Sequence, residues 1–237
     1  MQRIVWIIFR MFFEVIYYIS RFNHFGKEKY RDYAKAHEVI ASGAKRAIKV
    51  GRIIPKVEGV ENIPEKDGFI FYPNHQGMFD VFMFYYSCRH PFAFVLKKEA
   101  AGLPIVKGVI SATGSLAMDR SDLRQSVKVI NEVSERVKNG SNFIIFAEGT
   151  RSRMGNKLLD FKGGSFKAAT NACCPIIPVM LKDSFRPFDE KGIKKVEVTI
   201  KYLPPIQYEE YKNMKGQEIA KLVRERIQNE LDKEDML

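Results

Sequence analysis

Cysteine is scarce: Cys88 and the adjacent pair Cys173 and Cys174 are all that a chain of 237 residues contains. An odd count without metal-ligand spacing excludes a disulfide framework and a zinc-type site, and leaves core packing in a reducing compartment as the role of these thiols. Acid is short as well. With 28 Asp and Glu against 39 Lys and Arg, the net charge of +11 favours phosphate-rich partners: nucleic acid, anionic membrane or phosphorylated substrates. Internal repeats and low-complexity stretches are missing, and the 10 Pro and 16 Gly are scattered, so nothing marks a linker between two large domains. What remains is a mixture of 46% hydrophobic and 28% charged residues, enough to bury one substantial core.

The N-terminus departs from that mixture. Residues 4–19, IVWIIFRMFFEVIYYI, carry only Arg10 and Glu14 as charges, which makes a marginal span beside the ~20 apolar residues that a crossing helix needs. Trp6, Phe9, Phe12, Phe13, Tyr17 and Tyr18, followed by the basic residues Arg21, Lys27, Lys29 and Arg31, suit a helix lying among lipid headgroups. An ordinary core helix is the alternative. No small-residue cleavage site follows, so a removed signal peptide is not expected. Around residues 34–50, Ala36, Ile40, Ala44 and Ile48 recur at helical spacing with Lys and Arg between them, and this segment is expected to pack against the first. Residues 1–50 are therefore read as a membrane-contacting helical hairpin and 51–237 as the main domain.

Beyond Pro55 short apolar runs alternate with helical stretches. Residues 69–72, 92–96, 115–118, 143–146, 176–181 and 196–200 each read as a strand, several of them apolar throughout and so buried on both faces. A helix is predicted over 122–138, with Asp122 and Gln125 as a capping box, Leu123, Val127, Ile130 and Val137 on one face, and Gly140 ending it. Another begins near Gln217, with Ile219, Leu222, Val223, Ile227 and Leu231 at helical spacing. This alternation predicts an α/β fold with a mixed, mostly parallel sheet. In such folds the chemistry sits on the loops that leave the strand ends.

Three of those loops carry reactive residues. In residues 72–80, YPNHQGMFD, His75 and Asp80 lie five apart and would diverge by roughly 140° within one helix. Pro73 and Gly77 allow a bend instead, with His75 in the turn and Asp80 opening the next helix so that its carboxylate meets the imidazole. Such a pair fixes the ring tautomer and leaves the other nitrogen to take a proton from a substrate hydroxyl. The same two residues also fit a purely structural loop. After residues 143–146 comes Ala147-Glu148-Gly149-Thr150-Arg151-Ser152, where Gly149 frees the backbone and Arg151 offers a planar fork to phosphate. A third turn, Met118-Asp119-Arg120-Ser121, sets a second arginine at a strand end and leads into a helix N-terminus. Together the arginines read as an anion site, or else as surface salt bridges.

Set side by side, these loops resemble the lysophosphatidic acid acyltransferase family over about residues 57–203. Asn74-His75-Gln76-Gly77-Met78-Phe79-Asp80 is similar to the family's NHxSxxD form of the HX4D motif, with Gly77 where Ser is usual. Gly114-Ser-Leu-Ala-Met-Asp-Arg120 corresponds to its second motif, and Phe146-Ala-Glu-Gly-Thr-Arg-Ser152 to FPEGTRS, with Ala147 in place of Pro. Val57-Glu-Gly-Val-Glu-Asn-Ile-Pro64, Lys97-Lys-Glu99 with Leu103-Pro104, Phe161-Lys-Gly163 and Ile177-Pro178-Val179 follow in family order. The resemblance implies an α/β acyltransferase, and its domain is expected at the cytoplasmic face of the cell membrane, where thioester donors are made. The expected reaction moves an acyl chain from acyl-CoA or acyl carrier protein to the sn-2 hydroxyl of 1-acyl-glycerol-3-phosphate, giving phosphatidic acid with no metal or bound cofactor. It also implies that His75 is the general base, that Asp80 orients it, and that Lys98, Arg120, Glu148, Gly149, Thr150 and Arg151 meet the glycerol phosphate.

Another lysolipid or glycerol-3-phosphate would serve as acceptor for the same residues. A nucleic-acid binder explains the charge but not the apolar N-terminus, and no aromatic RNP pattern or zinc spacing is present. A membrane adaptor without catalysis leaves His75 and Asp80 unexplained. A serine hydrolase lacks the GxSxG elbow. His24, His37 and His90 have no comparable carboxylate spacing and are read as surface or structural.

Overall fold

The computed structural model describes residues 2–102 and 104–236, apart from the side chains of Pro104 and Ile105. Leu103, part of the Leu103-Pro104 motif, lies outside the described residues. Two helices, α1 (Gln2–Arg10) and α2 (Phe12–Phe25), precede α3 (Tyr33–Val50). The chain then alternates: β1 (Ile53–Glu58), β2 (Ile70–Pro73), α4 (Asp80–Ser87), β3 (Ala93–Lys97), α5 (Pro104–Thr113), β4 (Leu116–Met118), α6 (Leu123–Lys138) and β5 (Phe143–Ile144). It closes with α7 (Lys167–Ala172), β6 (Ile176–Lys182), α8 (Arg186–Asp189), β7 (Val196–Tyr202), α9 (Tyr208–Tyr211) and α10 (Gly216–Asp235).

Among the described residues the strands form one sheet in the order β1-β7-β6-β2-β5-β3-β4. Every adjacent pair is parallel except β6 and β7, so the sheet is mixed and mostly parallel as the alternation predicts. Its two faces follow from the period-two geometry of a strand. In β2 and the residue before it, Ile70 and Tyr72 join one apolar cluster with α6, α7 and α10, while Phe69 and Phe71 join the other with α3 and α4. Both clusters are thereby covered by helices, which is why the central strands are apolar throughout.

Several local expectations change. β1 was absent from the predicted strands because Pro55 sits in it; proline is tolerated there since β1 is an edge strand paired only with β7. The apolar run 4–19 is not one helix: it bends at Met11, whose buried side chain anchors the bend while the Met11 to Ile7 and Val15 to Met11 backbone hydrogen bonds persist. Its two charges are accommodated within the fold, because Glu14 pairs with Arg46 of α3 at 2.9 Å and Arg10 lies over the Trp6 ring. Trp6 is turned toward the body rather than outward, its indole N–H donating to Val50 O at 3.1 Å. The buried Arg3 guanidinium donates to Gly51 O at 2.6 Å and Pro187 O at 3.0 Å, fastening α1 to the domain. The capping box at α6 is only half formed. Asp122 accepts from Gln125 N–H, but the Gln125 side chain turns back to the Asp119 N–H and Ala117 O instead.

Cys88 and Cys174 are buried, and burial pushes both thiols up to about 12, as suits core packing. Cys173 is exposed. His37 is buried with Nε2 3.1 Å from Cys88 O. His90 does find a carboxylate, Asp67 at 2.6 Å, but that pair precedes β2 and β3 and lies at the opposite end of the sheet from the motif loops.

Candidate active site

Because β6, β2 and β5 are adjacent and parallel, the turns leaving them emerge side by side. The first runs from Asn74. Its side chain clips the loop to β6, accepting from Leu181 N–H at 2.7 Å and donating to Leu181 O at 2.9 Å. His75 is then stitched to the loop after β5: its N–H donates to Glu148 Oε1 at 3.0 Å and its carbonyl accepts from Ser152 N–H at 2.9 Å.

With the backbone so held, the imidazole is fixed from two sides. Its Nδ1 lies 2.7 Å from Asp80 Oδ2, and since an ionised carboxylate only accepts, Nδ1 carries the ring proton. Phe146 stacks on the ring, centroid to centroid 4.0 Å. Nε2 makes no hydrogen bond with any described residue, and the side chain is 22% exposed, so the free nitrogen is open to solvent. Asp80 is fully buried at the start of α4, where it also accepts from the Gln76 and Gly77 amides at 2.9 and 3.1 Å and from Ser184 Oγ at 2.6 Å. A buried carboxylate surrounded by this many donors has its charge compensated without a permanent cation. Gly77 has no positive φ, but space around it is tight: a Cβ would stand 3.2 Å from Phe185 Cα.

Glu148 supports this loop from below. It is 2% exposed; Oε1 holds the His75 amide and Oε2 has no hydrogen-bond partner among the described residues. Burial, assisted by the nearby Asp80 charge, pushes its carboxyl up to about 7. Gly149 has φ +75, which favours glycine, and a Cβ there would come within 2.9 Å of Lys162 Nζ. Arg151 is half-buried and Thr150 exposed. Neither the Arg151 nor the Lys162 cation has a carboxylate within ion-pair distance among the described residues.

The other two positive residues are placed differently. Lys98 lies 3.4 Å from Asp119 Oδ2, an ion pair that the sequence did not foretell. Arg120 follows β4 on the same edge of the sheet but two strands beyond β5, about 10 Å at ~4.8 Å per strand. Its side chain is largely exposed, with partial burial of the guanidinium lowering its pKa from the usual arginine range. Thus His75, Asp80, Glu148, Gly149 and Arg151 are assembled around one point, whereas Lys98 and Arg120 lie farther along the rim. Lys162, Phe146 and Ser184 belong to the assembly too. Lys162 was visible in the Phe161-Lys-Gly163 motif without a role; Ser184 carried no local signal.

The family model described as Acyltransferase matches residues 54–182, more than half of the chain and every residue of this site but Ser184. The 1-acyl-sn-glycerol-3-phosphate acyltransferase of Escherichia coli is 33% identical over 169 residues, covering 70% of this chain and 69% of that one. The chain belongs to the lysophosphatidic acid acyltransferase family. A crystal structure of a family member, the 1-acyl-sn-glycerophosphate acyltransferase PlsC of Thermotoga maritima, superposes with a TM-score of 0.79 at 25% identity, covering 99% of this chain and 96% of that one. That fold likeness extends over the N-terminal helices as well as the α/β domain. The chloroplastic family member of Brassica napus is 31% identical over 126 residues, 53% of this chain and 36% of that one. The chain spans less than half the length of the Brassica napus, Chlamydomonas reinhardtii and Arabidopsis thaliana relatives it matches.

Proposed function

We propose that this chain transfers an acyl group from a thioester, acyl-CoA or acyl carrier protein, to the sn-2 hydroxyl of 1-acyl-glycerol-3-phosphate, forming phosphatidic acid. One observation carries the mechanism: an imidazole tied through Nδ1 to a buried carboxylate, with Nε2 free. In this reading the acceptor hydroxyl attacks the thioester carbonyl carbon as His75 Nε2 takes its proton. The tetrahedral oxyanion is met by loop amides; the C–S bond then breaks, and the departing thiolate receives the proton back from His75. Asp80 holds the tautomer and offsets the imidazolium charge. Arg151 and Lys162, unpaired beside Gly149, bind the acceptor phosphate, and Arg120 and Lys98 extend the positive rim along it.

Membrane contact fits the same reading, since acceptor and product both reside in lipid. Val5, Ile8, Phe9, Phe12, Phe13, Ile16 and Tyr17 are exposed on α1 and α2, largely at the i, i+3, i+4 spacing of one helix face. No helix among the described residues is long and apolar enough to cross a membrane. Of the expected hairpin 1–50, the exposed face of α1 and α2 is therefore proposed to enter one leaflet, while α3 stays packed on the sheet with Phe69 and Phe71, and the domain 51–237 lies at the cytoplasmic face. The test is acyl transfer by the purified chain with both thioester donors against a panel of lysolipids and glycerol-3-phosphate. Phosphatidic acid formation should require the phosphate acceptor and vanish in His75→Ala. A folded His75→Ala protein with normal turnover would sink the mechanism, and preference for another acceptor would reassign the substrate.

A further inference from the structure

The turn that leaves β6 reaches back beneath the dyad. Ser184 is fully buried, and the 2.6 Å bond from its Oγ to Asp80 Oδ1 is the shortest that the carboxylate makes with the described residues. The Ser184 N–H donates to Gln76 Oε1 at 2.7 Å, and Gln76 Nε2 donates to Asn156 Oδ1 at 2.7 Å. Asn156 in turn accepts from Asp183 N–H at 2.8 Å and donates to Asp183 Oδ1 at 3.2 Å. The residue following His75, the loop after β5 and the turn after β6 are thus one polar network.

Satisfying a buried turn would account for the backbone bonds of this network but not for where the hydroxyl is aimed. Oδ1 of Asp80 takes Ser184 Oγ, Oδ2 takes the imidazole and the Gln76 amide, and the Gly77 amide is shared between the two oxygens at 3.1 Å each. Donors on both oxygens fix the plane of the carboxylate, and only one of them, Ser184 Oγ, comes from outside the His75–Asp80 loop. Gly77 points the same way. A Cβ on it would meet Phe185 Cα at 3.2 Å and Ser184 O at 3.4 Å, so the backbone of the β6 turn lies close against position 77. The hydroxyl thus reaches Asp80 from the turn of the neighbouring strand β6.

We infer that Ser184 is a positioning residue for the transfer: its hydroxyl fixes the Asp80 carboxylate and, through it, the direction in which His75 Nε2 faces the acceptor. This rests on the proposed roles of His75 and Asp80. Ser184 touches neither substrate, so its loss should lower kcat while leaving KM nearly unchanged.

The experiment compares Ser184→Ala, Ser184→Cys and Ser184→Thr in the full chain, by steady-state kinetics and by proton NMR of protein with nitrogen-labelled histidine. The far-downfield proton of His75 Nδ1–H is identified by its absence in His75→Ala. Ser184→Ala and Ser184→Cys should lose roughly 10- to 100-fold in kcat, the scale of a small misplacement of a catalytic group. KM for thioester and acceptor should stay within about twofold of wild type, and the downfield proton should shift or broaden. Ser184→Thr, which keeps the hydroxyl, should recover most of both signals. Should Ser184→Ala not fold, the near-isosteric Cys variant carries the comparison. Wild-type kcat in a folded Ala or Cys variant overturns the inference, as does a lost kcat with an unmoved downfield proton, which would mean packing alone. Because the NMR signal is read without substrate, it tests Ser184 even if the acceptor has been misassigned.

Discussion

Glu148 gives the most quantitative handle on the site. Its carboxyl is buried, with one oxygen on the His75 amide and the other unpartnered, and burial raises it from the usual 4.5 to about 7. An acid with a raised folded-state pKa favours the fold below its unfolded value, and that advantage is lost as pH climbs to the folded value. Stability attributable to Glu148 should therefore fall between about pH 4.5 and pH 7 and level off above. At ~1.36 kcal/mol per unit, the change is on the order of 3 kcal/mol. Glu148→Gln retains a carbonyl oxygen for the His75 amide but cannot ionise. Urea unfolding of both proteins at several pH values from 4.5 to 8 isolates the effect, because every other titrating group is shared. The variant should match wild type near pH 4.5, apart from a constant offset, and exceed it progressively up to about pH 7. A stability difference that does not change with pH would refute the assignment of a buried, ionising Glu148.

Other expectations are simpler. Arg151→Ala and Lys162→Ala should each raise KM for the lysolipid by roughly 10- to 100-fold, the equivalent of a charge-assisted contact of about 1.5–3 kcal/mol. Arg120→Ala should do less, since it stands farther along the rim. An acceptor without phosphate should be indifferent to all three; a rise in thioester KM instead would assign the cations to the donor. Replacing the exposed Phe9, Phe12 and Phe13 with Ser should leave the fold intact. At roughly 1.5 kcal/mol for each aromatic withdrawn from lipid, binding to anionic vesicles should weaken by about three orders of magnitude in co-sedimentation. Unchanged sedimentation would show that α1 and α2 are not the contact.

Local sequence was sufficient wherever the determining physics is local. Period-two and continuous apolar runs marked β2 to β7, because a strand buried on both faces has little choice of composition. The cap at Asp122 and the helical stripe of α10 were legible for the same reason. So were His75 and Asp80, since residues five apart meet only if the chain turns between them before the helix opens; the turn lies past Pro73, which ends β2, and 2.7 Å separates the pair. β1 escaped notice because Pro55 argues against a strand unless the strand is known to lie at an edge, and edge position is a property of the whole sheet. Tertiary structure alone decided which distant groups share the site. Ser184 lies 104 residues beyond Asp80, and only the placing of β6 beside β2 brings its hydroxyl to the carboxylate. The same strand order sets Glu148 under the His75 amide, where burial raises its pKa, and folds Lys162 over Gly149 while Lys98 is drawn to Asp119. A sequence states which charges and hydroxyls exist; which of them are left without a partner depends on strand order, and those unpartnered groups are the ones available to a substrate.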